Sequence, residues 1–262
     1  MPTITFICDV KGWAFDIASR NLAQYLPYKC SVAYYKQEIP KADCYVLHHV
    51  GFARKYSELR PRIIKLSGFR ALDDVNGALP DAEGLVATNA ALAAKYDAKL
   101  IPNGLDLEVF KPGRVCNTSN ILGFVGNADT PYRYWYKGYP YAVLAAQELG
   151  MQFEQARYDY TEMPAFYNRI KCLVHPSLGE GCSNAIMEAL ACDTPVITTQ
   201  TGFHGDACKR GEATFVTRDV DEIVRAVGVV TAAPRRAFAE KHHDIRNVAT
   251  LWREVIEEAL IR

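Results

Sequence analysis

Glu180 and Glu188 stand eight positions apart in the run His175-Pro176-Ser177-Leu178-Gly179-Glu180-Gly181-Cys182-Ser183-Asn184-Ala185-Ile186-Met187-Glu188-Ala189-Leu190-Ala191-Cys192-Asp193-Thr194-Pro195. The flanks, Cys172-Leu173-Val174 and Val196-Ile197-Thr198-Thr199, are short, apolar and β-branched, and they read as strands. The unit is therefore strand, loop, helix, strand, with either Ser183 or Asn184 as the N-cap. A helix start offers unpaired N–H groups and the positive end of the helix dipole, so an anion belongs there. Carboxylates on either side of an anion suit a diphosphate with a hydroxyl-bearing ring at each end, as in a nucleotide sugar. Eight residues of ideal helix rise about 12 Å, and placing Glu180 in the loop shortens that gap. The plain alternative is two solvated surface acids. Against it, Glu180-Gly181 lies at the carboxyl end of an expected parallel strand, where open α/β sheets bind ligands.

Strand-like runs alternate with helical ones along the whole chain, which predicts a parallel α/β architecture. Strands are expected at 3–8, 31–35, 44–48, 63–66, 85–87 and 99–101, with helices at 16–26 and 89–96 between them. Residues 113–120, rich in Gly, Asn, Thr and Ser, read as a linker. A second series follows: strands at 121–125, 151–155, 172–174, 196–199 and 214–216, and helices at 139–149, 163–170 and 219–230. Periodic apolar positions from Val248 to Leu260 predict a last helix over 246–262.

Several of these residues form a recognisable signature: Pro176-Ser177, Glu180-Gly181, Glu188-Ala189-Leu190-Ala191 and Thr194-Pro195-Val196-Ile197. Pro102-Asn103-Gly104-Leu105-Asp106 with Phe110-Lys111-Pro112, and Lys137-Gly138 downstream of Gly123–Gly126, add to it. The chain resembles the retaining glycosyltransferases of the GT-B fold, in particular the large group called family 4. The resemblance implies two Rossmann-like domains facing a central cleft. Residues 1–112 would form the acceptor-side domain, onto which helix 246–262 packs back, and residues 118–245 the nucleotide-sugar domain. It implies metal-independent transfer from a UDP-, GDP- or ADP-linked sugar to a hydroxyl acceptor, with no cofactor.

Residue by residue, it implies that Glu180 touches the transferred sugar and Glu188 the ribose. Lys137 would neutralise the diphosphate, helped by Gly181, Ser183 and Asn184. The family's arginine position holds Asn127, so Arg133, in the loop 128–136, either takes that role or is a solvent-exposed charge. Tyr158 or Tyr160 would edge the nucleobase. Gly12 matches the turn that approaches the donor phosphates, Trp13 and Asp16 belong to the acceptor side, and His49, after His48, touches the donor sugar. Asp193 stands where the family has Gly, and Asp tolerates the left-handed conformation. A nucleotide-sugar epimerase or hydrolase, or a non-catalytic sugar-nucleotide module, are the competing readings.

Bulk properties exclude other classes. The 262 residues carry 30 basic and 30 acidic side chains, which gives no global pull toward nucleic acid or membrane. No apolar run approaches the length of a membrane span. The first residues read as a strand rather than a signal peptide. Eight cysteines without Cys-x-x-Cys spacing point to reduced thiols in a cytoplasmic protein. Arg54, Lys55, Arg60, Arg62, Lys65 and Arg70 form the only concentrated basic stretch. Two readings fit it: a solvated face with strand ends, or a surface for an anionic acceptor such as DNA bearing hydroxymethylated bases. Glycan, lipid and small-molecule acceptors stay open. Asp219-Val220-Asp221 reads as a capped helix start rather than a metal motif, and His242-His243 as surface.

Overall fold

The computed structural model describes residues 1–67, 79, 81–113, 119–208, 211–230 and 234–262. Arg70, Cys116 and most of the expected linker lie outside the described residues. The chain divides into two compact units, Met1–Gly104 with His243–Arg262, and Leu105–His242.

The first unit is built from β1 (Thr3–Cys8), α1 (Ala14–Ala23), β2 (Lys29–Tyr34), β3 (Cys44–Leu47), a 3-10 turn (Val50–Phe52), β4 (Arg62–Leu66), β5 (Gly84–Ala87), α2 (Ala90–Tyr96) and β6 (Lys99–Leu100). The strands form one parallel sheet in the order β2-β1-β3-β4-β5-β6. Central strands β3 and β4 are buried along their length, whereas edge strand β2 alternates, as expected for a sheet covered on both faces.

The second unit contains β7 (Ile121–Phe124), α3 (Pro131–Tyr136), α4 (Tyr139–Glu148), β8 (Gln152–Gln155), α5 (Met163–Arg169), β9 (Cys172–His175), α6 (Asn184–Ala191), β10 (Val196–Thr198), α7 (Gly202–Ala207), β11 (Thr214–Phe215), α8 (Val220–Val229) and α9 (Arg236–His243). Its parallel sheet runs β11-β10-β9-β7-β8. The final helix α10 (Ile245–Ile261) belongs to the first unit. Val248, Trp252, Val255 and Ile256 pack there with Ile4, Phe6, Val46 and Ile63. This is the apolar stripe that the periodicity of the tail demanded.

Three helices depart from the sequence expectations. The segment 128–136 was read as a loop but contains α3, capped by the Thr130 hydroxyl on Arg133 N–H with Pro131 in the first turn. Helices α7 and α9 were also unanticipated. Asp193 adopts φ +57° and its carboxylate accepts the backbone N–H of Arg235 and Arg236, each at 2.6 Å. The residue that replaces a glycine thus keeps the left-handed turn after α6 and also caps α9. Asp219 caps α8 by accepting Glu222 N–H at 2.9 Å.

His243 was read as surface but is fully buried, its Nδ1 2.8 Å from the Asn103 carbonyl. His242 packs against Phe203 and Phe238. The described cysteines carry thiols rather than disulfides, and burial pushes Cys44, Cys172, Cys192 and Cys208 up to about 12.

Candidate functional site

In the second unit the strand order reverses between β7 and β9, with β8 on one side and β10 on the other. Ligands of open α/β sheets bind beyond the carboxyl ends of strands at such a switch point. The segment after β7 carries Lys137 and the segment after β9 carries Glu180. They meet as an ion pair, Lys137 Nζ to Glu180 Oε1 at 2.7 Å. His175, the last residue of β9, approaches the same oxygen with Nε2 at 3.0 Å. A carboxylate has no proton to give, so the imidazole donates. The Ser183 hydroxyl stands 3.4 Å from that Nε2.

The Glu180 side chain is 12% exposed and that of His175 is 3% exposed. Burial would push the Glu180 carboxyl up. The His175 hydrogen bond and the Lys137 charge outweigh it and hold the carboxyl well below the usual carboxylate range. The site therefore holds a fixed anion, a flexible cation and a buried imidazole, side by side.

Two glycines keep the Glu180 loop in place. Gly138 sits at φ +74°, and a Cβ there would stand 2.2 Å from the Pro176 carbonyl oxygen. Gly202 sits at φ +60°, and its Cβ would fall 2.4 Å from the Glu180 carbonyl oxygen. Only glycine permits both the conformation and the approach. Backbone bonds complete the clamp: Leu178 N–H to the Tyr136 carbonyl at 2.9 Å, and Phe203 N–H to the Gly181 carbonyl at 2.8 Å.

Ser183 occupies the N-cap position of α6, but its side chain makes no capping bond to the helix. Asn184 is the first helical residue. Further along α6, Glu188 is buried and accepts the Tyr167 hydroxyl at 2.7 Å. Burial pushes the Glu188 carboxyl from 4.5 up to about 7, with Tyr167 pulling it partway back.

A carboxyl whose folded value lies above its unfolded value stabilises the fold below about 4.5, and that stabilisation is lost as pH rises through about 7. Wild-type stability is therefore expected to fall between pH 5 and 8 relative to Glu188→Gln, by on the order of 3 kcal/mol. Calorimetric melting across that window checks it. Parallel pH profiles for the two proteins would show that Glu188 is ionised in the fold.

Arg133 lies on α3, its carbonyl accepting Lys137 N–H at 2.9 Å. Tyr160 packs edge-on against Phe110 at 5.1 Å, and the Tyr158 hydroxyl donates to Glu154 at 2.9 Å beneath Arg169.

In the first unit Gly12 has φ +80° and Trp13 is 44% exposed. Asp16 is 3% exposed and holds the turn, accepting Gly12 N–H at 2.8 Å, Arg20 Nε at 2.8 Å and the Tyr34 hydroxyl at 2.9 Å. His49 Nδ1 accepts Gly51 N–H at 3.0 Å, which leaves Nε2–H as the donor of the neutral ring. His48 is buried between Phe6, Phe15 and Trp252.

The basic stretch is not one patch. Arg62 is fully buried on the carbonyls of Ala53 and Tyr56, and Lys65 is buried on Asn103. Arg60 pairs with Glu83, and Lys55 lies over Tyr35.

Sequence reasoning assigned no role to His175, although a histidine closing an apolar strand just before Pro-Ser was a visible signal.

Residues 140–232 match the family of glycosyl transferases group 1. No curated protein matches the chain. Among solved structures, Alr3699/HepE of Anabaena, in complex with UDP and glucose, superposes with a TM-score of 0.72 at 13% identity, over 98% of this chain and 100% of that one. Sucrose-phosphate synthase of Thermosynechococcus elongatus gives 0.74 at 13% identity, over 98% and 99%. AviGT4, a glycosyltransferase of avilamycin A biosynthesis, gives 0.70 at 14% identity, over 100% and 98%. The fold resemblance to the GT-B glycosyltransferases holds, and the segment bearing both glutamates lies in the matched family region. Among the described residues no helix is long and apolar enough to cross a membrane.

Proposed function

We propose that this chain, a GT-B-fold protein whose residues 140–232 match the family of glycosyl transferases group 1, moves a sugar from a nucleotide-sugar donor to a hydroxyl acceptor with retention at the anomeric carbon. One observation carries this reading. Lys137, Glu180 and His175 converge at the switch point of the second sheet, beside the start of α6.

The incoming diphosphate takes Lys137 and the α6 start, where cation and helix dipole both favour its charge. Glu180 then accepts hydrogen bonds from hydroxyls of the transferred sugar. Glu188 serves the ribose. As the anomeric carbon–oxygen bond breaks, its electron pair stays on the diphosphate, and Lys137 stabilises the charge that grows there. The acceptor oxygen bonds to the anomeric carbon on the same face, and its proton passes to a diphosphate oxygen. These groups supply the positive charge from the chain itself, so the reading includes activity in EDTA. Buried thiols suit a reducing compartment, the cytoplasm.

UDP and UDP-glucose are the first ligands to try, because the fold neighbour HepE binds them. Calorimetric titration with UDP, GDP and ADP, followed by donor turnover with pooled acceptors in EDTA, tests the proposal. Binding of one nucleoside diphosphate and transfer of its sugar are expected. No binding of any of the three would end the reading. Free sugar or an isomer formed without acceptor would replace it with a hydrolase or epimerase, and binding without turnover would leave a sugar-nucleotide module.

A further inference from the structure

The two donors to Glu180 share one oxygen. Lys137 Nζ and His175 Nε2 both bond Oε1, at 2.7 and 3.0 Å, and among the described residues nothing donates to Oε2. The donors differ in freedom. His175 closes β9 and is paired in register with Thr198 of β10. Its carbonyl accepts the Thr198 hydroxyl and the Ser177 N–H, each at 2.9 Å. Its ring lies against Phe124 of β7, with centroids 6.5 Å apart and planes at 30°. Lys137 reaches the same oxygen on a flexible four-carbon stem from the partly exposed segment after α3.

The ion pair and an incoming diphosphate need the same cation. An anion that takes Lys137 must draw it off Glu180, and a largely buried carboxylate stripped of its counter-charge is destabilised. Burial itself works against the Glu180 charge, and the His175 hydrogen bond opposes burial more than the Lys137 charge does. That bond stays in place when the lysine moves. The Ser183 hydroxyl bears on the same ring, 3.4 Å from Nε2, and makes no capping bond to α6. The imidazole thus engages the side chain that would otherwise compete for the helix start.

We propose that the Lys137–Glu180 ion pair is an autoinhibitory contact which the donor diphosphate opens, and that His175 is the positioning residue that lets it open. This rests on the glycosyltransferase reading and adds an order of events at its site. Lys137 swings from Glu180 to the diphosphate, His175 keeps hold of Oε1, and Oε2 is presented to the hydroxyls of the transferred sugar. His175 therefore acts through Glu180, and its removal weakens diphosphate binding although it touches no phosphate.

Calorimetric titration of the full chain with UDP, GDP, ADP and inorganic pyrophosphate tests this. His175→Leu removes the donor, and the Nδ1 that goes with it is a buried atom with no hydrogen bond to lose. His175→Gln keeps an N–H donor. Diphosphate affinity should fall about tenfold or more in His175→Leu, the loss of one charge-assisted bond, and recover for the most part in His175→Gln. With Glu180→Gln already in place, His175→Leu should change affinity less than twofold, because no carboxylate is left to hold. A merely structural role would lower the fraction of active protein and leave the affinity of the folded fraction intact.

If His175→Leu folds poorly, 15N NMR of the unaltered protein decides. Adding the diphosphate should move the Lys137 Nζ signal and leave His175 protonated at Nε2. The opposite pattern would overturn the inference. So would equal affinity in wild type and His175→Leu, or an undiminished loss in the Glu180→Gln background, and in each case the donor reading would stand. If the wild type binds none of the four anions, the donor reading fails and this inference falls with it.

Discussion

Lys137→Ala is expected to lower kcat/KM for the nucleotide-sugar donor by about 10²–10³-fold. In the proposed transfer the ammonium meets charge developing on the leaving diphosphate, and its side chain is 28% exposed, so its removal leaves no large cavity. The melting temperature should move by only about 3 °C or less. Glu180→Gln makes the contrast. It keeps the shape, removes the charge that the proposed transfer assigns to sugar hydroxyls, and releases Lys137 from its ion pair.

UDP titrations should therefore show weaker binding in Lys137→Ala and undiminished binding in Glu180→Gln, while sugar transfer falls in both. His175 holds Glu180 from behind at 3.0 Å, so the remaining carboxylate stays oriented when the lysine is gone. Wild-type turnover in both variants would remove these residues from the chemistry.

Trp252→Ala is expected to destabilise the protein by about 3–5 kcal/mol, a large share of the roughly 5–15 kcal/mol that holds a domain together. Trp252 is 1% exposed and packs among residues of β1, β3, β4 and β5. His48 stacks on it at 6.2 Å with an interplanar angle of 6°. Lys65 lies with its ammonium 6.0 Å from the ring centroid, so truncation also strips a buried cation of its aromatic neighbour. Urea unfolding of Trp252→Ala and Trp252→Phe measures this, with the phenylalanine variant recovering part of the loss. A midpoint for the alanine variant equal to wild type would show that α10 contributes little to the first core.

The strands were legible because buried parallel strands are short apolar runs, and Thr3–Cys8 was placed to the residue. The strand–loop–helix unit around Glu180 was legible in the residues themselves, whereas Lys137, which pairs with Glu180 at 2.7 Å, came only through the family resemblance. What escaped depends on partners distant in sequence. Helix α9 starts on Asp193, which accepts the backbone N–H of Arg235 and Arg236 from more than forty residues earlier. A window-based reading cannot see such a cap.

Glu188 reads as an ordinary helical acid, and only its burial in the packed unit reveals a carboxyl raised to about 7, with the Tyr167 hydroxyl pulling it partway back. Helix α3 was a different failure. Thr130-Pro131 was a sound start signal, but the aromatic run Tyr132–Tyr136 has no apolar periodicity to extend it.

The return of α10 to the first sheet carries a consequence for synthesis on the ribosome. Phe6 is made 246 residues before Trp252, the side chain that covers it. At translation rates of 5–20 residues per second, that interval is roughly 12–50 s. Every apolar cluster of the second unit is drawn from the single stretch 105–242. The half translated later is therefore free to close first, while the half that emerged earlier waits with an uncovered face. Nascent chains stalled shortly before Ile245 are the species on which a chaperone would act.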